Sequence, residues 1–266
     1  MNKIERLAAC VLFLMPVFWA PASSFAQSPF DGTWRFNMDQ SKISPKPMVF
    51  SVNKGMYDCF YCSPEIHVKA DGQDQPVTGQ FYDTINVREV DPKSIAVTFK
   101  KNGKTVVEQT RTVSDDGNTL TWKQITHPEN SDQPVSSEST YTRVGKAPAG
   151  ANGTSGSWRI NKEKVSENEL ILTYKTSGDE LSMSNPTGES YTAKLDGKDY
   201  PVKGAYDYNS VSLRRVDDRT IEETDKRDGK VVEVMKMTVS ADGKKMTVVA
   251  TSKPTGRIST FVAEKQ

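Results

Sequence analysis

The chain has 266 residues, with 35 Lys and Arg against 34 Asp and Glu, so its formal net charge is +1. This balance argues against a nucleic-acid-binding protein, which carries a basic stripe, and against a polybasic membrane-surface protein. A net charge near zero and an aromatic content of 9% argue against disorder.

Residues 1–26 have the pattern of an export signal. Lys3 and Arg6 precede an apolar run over residues 7–20, and small residues follow up to Ala26. We therefore expect cleavage after Ala26. The apolar run has 14 residues, whereas a membrane-spanning helix needs about 20, and no later apolar segment reaches that length. The sequence predicts a periplasmic or secreted protein without stable membrane insertion.

The remainder of the chain contains a tandem repeat. The pattern D-G-x-D-x-P-V-x-G occurs at 71–79 and again at 196–204, and Gly-x-Trp segments at 32–34 and 156–158 match in the same way. The offset between matching residues drifts only from 124 to 126. The match therefore spans nearly the whole repeating unit.

Two domains follow from this repeat. The first is predicted at 28–144 and the second at 155–266, joined by a linker at 145–154. The linker is rich in small residues, which is typical of a flexible connection. Asn152-Gly153-Thr154 within it matches a glycosylation sequon, and a flexible turn is the simpler interpretation.

Both repeats have the pattern of β-strands. Polar and apolar residues alternate in segments such as 235–240, as in half-buried antiparallel strands. Asp-Gly and Asn-Gly pairs favour tight hairpin turns. They occur at 71–72, 102–103 and 116–117, and again at 196–197, 228–229 and 242–243. We predict an all-β protein of two tandem antiparallel up-and-down β-barrels, each with about eight to ten strands.

The start and end of each repeat resemble the calycin group, which includes lipocalins, fatty-acid-binding proteins and avidins. The resemblance rests on Gly-x-Trp in the first strand and on the closing strands at 141–144 and 261–264. The stretch at 196–204 is similar to one found in exported bacterial lipocalin-like proteins. The resemblance implies barrels that hold a small apolar ligand. The segments 41–48 and 162–168 are too short for the helical lid of fatty-acid-binding proteins, which argues against a fatty acid.

Cys59 and Cys62 form a C-x-x-C motif that the second repeat lacks. In an oxidising compartment two cysteines usually pair, so we predict a structural disulfide. A redox role or a metal site with His67 as a third ligand remains the alternative.

No catalytic or cofactor motif is present. The sequence has two histidines, His67 and His127, and contains no nucleophile elbow, zinc-protease pattern or P-loop. The Asp-Gly-x-Asp segments lack the ligand spacing of a calcium loop. We therefore expect a protein that is not an enzyme and that binds no metal or cofactor.

Trp34 and Trp158 are expected to plug one end of each barrel. Arg88 and Arg214 occupy matching strand positions, where they either touch these indoles or face outward. Six apolar residues of the second repeat are expected to form the core of its barrel and are also the candidate lining of a ligand cavity. They are Val211, Leu213, Met235, Met237, Met246 and Val248.

These observations favour a binding protein that holds or carries a small apolar molecule. An envelope scaffold that uses the barrel exteriors, with an exposed aromatic patch near Tyr57, Phe60 and Tyr61, is the alternative, and the duplication would give it avidity. A redox or metal-handling role at the C-x-x-C motif is less favoured. The sequence names no protein partner.

Overall fold

A computed structural model describes residues 28–128 and 133–266. The expected export signal and its cleavage after Ala26 lie outside the described residues. Within the described ranges, no helix is long and apolar enough to cross a membrane. Apart from one turn of 3-10 helix at Glu167–Glu169, the regular structure there is β-strand.

The first repeat contributes ten strands. They are β1 (Gly32–Phe36), β2 (Met48–Asn53), β3 (Met56–Cys59), β4 (Ile66–Lys69), β5 (Asp71–Pro76), β6 (Thr84–Asp91), β7 (Ser94–Lys101), β8 (Lys104–Val113), β9 (Thr119–Thr126) and β10 (Val135–Gly145).

The second repeat contributes a matching set. These strands are β11 (Gly156–Val165), β12 (Ile171–Ser177), β13 (Glu180–Ser184), β14 (Ser190–Lys194), β15 (Asp196–Pro201), β16 (Ser210–Asp217), β17 (Thr220–Arg227), β18 (Lys230–Val239), β19 (Lys245–Ser252) and β20 (Ile258–Lys265).

The strands form two antiparallel sheets of ten strands each, and both sheets curl into nearly closed barrels. Barrel one has the order β4-β3-β2-β11-β10-β9-β8-β7-β6-β5. Barrel two has the order β14-β13-β12-β1-β20-β19-β18-β17-β16-β15, and backbone bonds between Ser190 and Lys203 bring its edges together. The predicted all-β class with two antiparallel barrels is confirmed, and the architecture fits a calycin-like barrel.

The two repeats exchange their first strands. β1 pairs with β12 and β20, so Trp34 lies opposite Leu172 and Lys265 in barrel two. β11 pairs with β10 and β2, so Trp158 lies in barrel one. The sequence units 28–144 and 155–266 are therefore not two self-contained barrels. Because β10 and β11 are consecutive in the chain, they pair directly as antiparallel neighbours, and β1 takes the vacant place beside β20.

The end of the segment 145–154, which was expected to be flexible, is packed against barrel one, whereas residues 146 and 148–150 are exposed. Asn152 and Thr154 are buried, with 6% and 0% of their surface exposed. The Asn152 side-chain amide donates to the Asp91 carbonyl at 2.8 Å, and its backbone amide donates to the Val52 carbonyl at 2.8 Å. At Gly153 a small residue is needed for close packing, because an added Cβ would lie 3.0 Å from a Val113 side-chain atom, and the sequon amide is already hydrogen-bonded.

Four of the six predicted hairpin turns lie between paired strands. Asn102-Gly103 and Asp228-Gly229 join their strands with positive φ at both residues. Asp71-Gly72 and Asp196-Gly197 instead begin β5 and β15 at a bulge, so the hairpin interpretation is wrong there. At each bulge the Asp carboxylate accepts a bond from the backbone amide two residues on, which stabilises the bend.

Candidate functional site

The two repeat tryptophans are core residues. Trp34 and Trp158 are fully buried, and each belongs to the apolar core of the barrel that holds its strand. The Trp34 Nε1 donates to the Phe30 carbonyl at 2.7 Å, and the Trp158 Nε1 donates to the Thr154 carbonyl at 2.8 Å. The indole N–H of each tryptophan therefore donates to the backbone carbonyl of the residue four positions earlier in the chain.

A cation covers each indole, and in both barrels it is a residue other than Arg88 or Arg214. The Arg143 Cζ lies 4.1 Å from the Trp158 ring centroid, and the Lys265 Nζ lies 5.1 Å from that of Trp34. Both cations stand directly opposite their tryptophan on the neighbouring strand. Arg88 and Arg214 are exposed on the outer faces of β6 and β16. Of the two alternatives left open for these residues, the structure shows the outward-facing one, because β6 and β16 do not adjoin the tryptophans.

A cleft of about 610 Å³ lies where the two barrels meet. The Phe81 ring lies 5.2 Å from the Tyr206 ring across this junction, and the Arg227 guanidinium donates to the Gly79 carbonyl at 3.2 Å. Together with polar and aliphatic residues, barrel one contributes six aromatic rings to its side of the cleft: Tyr61, Phe81, Tyr82, Phe99, Tyr141 and Trp158. Barrel two contributes Tyr206, Asp207, Tyr208, Asp225, Arg227 and Glu233.

The interior of barrel one contains a buried arginine. Arg111 is fully buried, and its Cζ lies 3.6 Å from the Trp122 ring centroid and 4.7 Å from that of Phe50. It donates to the Tyr57 hydroxyl at 3.1 Å and to the Gln109 amide oxygen at 2.8 Å. Within the part of the chain that the structure describes, Arg111 Nε has no partner and no carboxylate pairs with this guanidinium. The aromatic rings hold the cation instead.

Barrel two contains a hollow of about 290 Å³. Met235, Met237 and Val248, which were predicted to line a ligand cavity, do line it. The other predicted lining residues are buried in the surrounding core instead: Val211, Leu213 and Met246. Tyr208 and Glu233 line both the hollow and the cleft, so the two spaces adjoin.

Acidic side chains project into barrel two. Glu223 and Asp225, from the inward face of β17, are 1% and 3% exposed. Glu233 lines the hollow from β18, and Glu189 lines it from the turn before β14. The Tyr191 hydroxyl donates to Glu223 at 2.7 Å.

Burial raises the pKa values of these acids and so favours their protonated forms. Burial raises the pKa of the Glu233 carboxyl to about 6, with the charge of Asp207 acting in the same direction. Burial also raises the pKa values of Glu223 and Asp225, and the Glu223 charge raises that of Asp225 further. Glu223 and Asp225 form an interacting pair, in which ionisation of both carboxyl groups is unfavourable unless a cation accompanies them.

The chain has no match among the protein-family models or the curated proteins. The assignment of a site therefore rests on geometry.

Cys59 and Cys62 form the predicted disulfide, beside the cleft. The His67 Nδ1 lies 2.9 Å from an Asp58 carboxylate oxygen. Among the described residues, no group of three or more His, Cys, Asp or Glu side chains is placed to hold a metal ion. The predicted exposed aromatic patch is reduced to Phe60, because Tyr57 is buried and Tyr61 is half-buried.

The acids of barrel two and the buried arginine of barrel one were missed in the sequence analysis. Strand alternation could have found Glu223 and Asp225, because they share the inward face of β17 with Ile221. Comparison of the repeats gives the same signal. The equivalent positions in barrel one, 126 residues earlier, are apolar: Val97, Phe99 and Val107.

Proposed function

We propose that this protein is a non-enzymatic binding protein that holds a small, largely apolar molecule between its two barrels. The cleft of about 610 Å³ and its aromatic wall carry this proposal. Ligand pockets in proteins typically measure about 300–1,000 Å³ and combine apolar walls with a few polar groups.

The cleft supplies apolar contact area for a ligand and polar groups that would orient it. The Tyr82 and Phe99 rings stack with centroids 4.3 Å apart, and both are largely buried where they line the cleft. Gln109 and Gln124 lie behind them and bond to each other at 2.8 Å, which fixes the direction of their amides. Burial raises the pKa of the Tyr61 and Tyr141 hydroxyls, so both are neutral hydrogen-bonding groups at neutral pH.

We further propose that the protein works outside the cytoplasm. The Cys59–Cys62 disulfide supports this location, because such bonds persist in oxidising compartments. The N-terminal sequence pattern points the same way. A carrier in the cell envelope would meet small apolar molecules there.

Binding of Nile red, an uncharged apolar dye, tests the proposal. We expect its fluorescence to rise on addition of the protein and the Phe81→Ala variant to bind it about tenfold more weakly, because this ring forms the wall at the junction. Val249→Ala, on the exposed face of β19, is the matched control and should leave the affinity unchanged. Equal affinity in all three proteins, or no binding at all, would overturn the proposal.

A further inference from the structure

The hollow of barrel two has an unusual charge arrangement. Glu189, Glu223, Asp225 and Glu233 surround or adjoin it, and within the described ranges none of them forms an ion pair with Lys, Arg or His. Burying an ionised carboxylate is costly unless a cation or several hydrogen bonds accompany it. The protein supplies hydroxyl and amide partners here, such as Tyr191 for Glu223, and the Glu223 and Asp225 carboxyl groups also hydrogen-bond to each other.

One of these acids, Asp225, has an unsatisfied hydrogen-bond acceptor in the described part of the chain. Asp225 is 3% exposed, and its Oδ1 atom has no hydrogen-bond partner in the described part of the chain. The side chain lines the cleft, beside the entrance to the hollow formed by Tyr208 and Glu233. An acceptor that is buried, unpaired and directed at a cavity fits a donor supplied by a ligand.

Apart from two further acids at its rim, Glu163 and Glu169, the rest of the lining of the hollow is mainly apolar and aromatic. Phe36 and Phe261 pack edge to face with centroids 6.1 Å apart, and Leu172, Met235 and Met237 complete the wall. The Tyr174 ring lines the hollow as well. Such walls suit a hydrocarbon body, and aromatic faces attract an ammonium group. A bare metal ion needs several oxygen ligands at short distance, and this lining does not suit it.

The first repeat shows that the acids are not required by the fold. Barrel one has apolar side chains at the equivalent positions and folds into the same ten-stranded sheet. It also has Arg111 where barrel two has Met237, 126 residues later. The two interiors therefore carry opposite charge on one scaffold, which a purely structural role does not explain.

From this arrangement we infer that barrel two binds a small organic amine, with its ammonium group among Glu223, Asp225 and Glu233 and its apolar body in the hollow. The inference rests on the proposed function, because the hollow adjoins the same cleft. With a volume of about 290 Å³, the hollow accepts a ligand at the lower end of the usual size range. The ammonium group provides the donor that Asp225 lacks and the positive charge that keeps the acids ionised.

Isothermal titration with three probes of similar shape tests the charge class. The probes are 2-phenylethylamine, which is cationic at pH 7, 2-phenylethanol, which is neutral, and 3-phenylpropanoate, which is anionic. We expect the purified protein to bind the amine at least about tenfold more tightly than the alcohol and the anion more weakly than either. Absence of amine binding up to about 10 mM, or equal affinity for amine and alcohol, would overturn the inference.

Variants locate the site. Glu223→Gln with Asp225→Asn removes the charge at nearly constant volume, and we expect it to lower amine affinity by about tenfold or more while leaving alcohol affinity unchanged. Glu222→Gln is the matched control, because this residue lies on the same strand and pairs outward with Arg214 at 3.0 Å. A preference for the amine that persists in the double variant would contradict the assignment.

Two further measurements separate the possible failures. If the double variant does not fold, as judged by its melting curve, the single variant Glu233→Gln is titrated with the same probes instead, because Glu233 lines both the hollow and the cleft. Nile red binding is measured on the same samples. Loss of amine preference with intact dye binding refutes only the amine site, whereas loss of dye binding with amine preference retained refutes only the apolar cleft.

Discussion

The exchange of first strands makes a prediction about which barrel each tryptophan stabilises. Trp34 belongs to the first repeat by sequence but is fully buried in barrel two. Replacing a buried aromatic residue by alanine costs about 3–5 kcal/mol. Trp34→Ala also leaves the Phe30 carbonyl without its 2.7 Å bond, which adds about 1 kcal/mol or more. We therefore expect a loss of at least about 4 kcal/mol, a large part of the 5–15 kcal/mol that stabilises a typical domain.

Hydrogen exchange read by mass spectrometry measures where this loss falls. In Trp34→Ala we expect faster exchange in β12–β14 and β16–β20, between residues 171 and 265. Trp158→Ala is the mirror control and should instead speed exchange in β2–β10, between residues 48 and 145. Faster exchange over 48–145 in Trp34→Ala, with barrel two unaffected, would refute the exchanged arrangement, because that result belongs to two self-contained repeats.

Three further predictions concern stability. Burial raises the pKa of the Glu233 carboxyl from about 4.5 in the unfolded chain to about 6 in the folded protein. Protonation of this group therefore contributes about 2 kcal/mol to the unfolding free energy. The full contribution is present below about pH 4.5 and is lost as the pH rises through about 6. Urea unfolding should therefore show lower stability at pH 8 than at pH 5, with a smaller difference in Glu233→Gln. Arg143→Ala removes the cation over Trp158 and three bonds to backbone carbonyls, so its unfolding free energy should fall by about 3 kcal/mol. Reduction of Cys59–Cys62, or serine at both positions, should cost about 2 kcal/mol, the entropy of closing so short a loop.

Each of these predictions has a contrary outcome. An unfolding free energy that rises between pH 5 and pH 8, measured without an added amine or metal ion, would contradict the raised pKa of the Glu233 carboxyl. An Arg143→Lys variant should recover part of the loss, because it retains the charge over the indole. An Arg143→Ala variant as stable as the parent would show that the indole is held by packing alone. A serine pair that abolished Nile red binding without loss of stability would support a functional role for the cysteines.

The β-class and the strand number follow from local sequence patterns. The alternation at 235–240 places Met237 and Val239 inward because successive side chains on a strand point to opposite faces. Asn102-Gly103 and Asp228-Gly229 adopt the positive φ angles that these residue types tolerate. The bulges at Asp71-Gly72 and Asp196-Gly197 use the same residue types, so the pattern alone does not separate a bulge from a hairpin.

The candidate site was only partly accessible to sequence reasoning. Apolar periodicity identified Met235, Met237 and Val248, which face the hollow. It did not identify the cleft, because residues far apart in the chain form its two walls, such as Phe81 and Tyr206. Where two barrels meet depends on how their surfaces pack, and no local pattern reports that.

The sequence by itself determined that this protein is a duplicated all-β chain, because strand alternation, turn residues and repeats are all local properties. Only the tertiary structure decided which barrel each first strand joins. Gly32-Thr33-Trp34 and Gly156-Ser157-Trp158 are nearly identical segments, so their local sequence does not select between the two sheets. The choice depends on the path of the packed segment at 145–154 and on the pairing of β10 with β11. These are long-range contacts whose free energy depends on the whole fold.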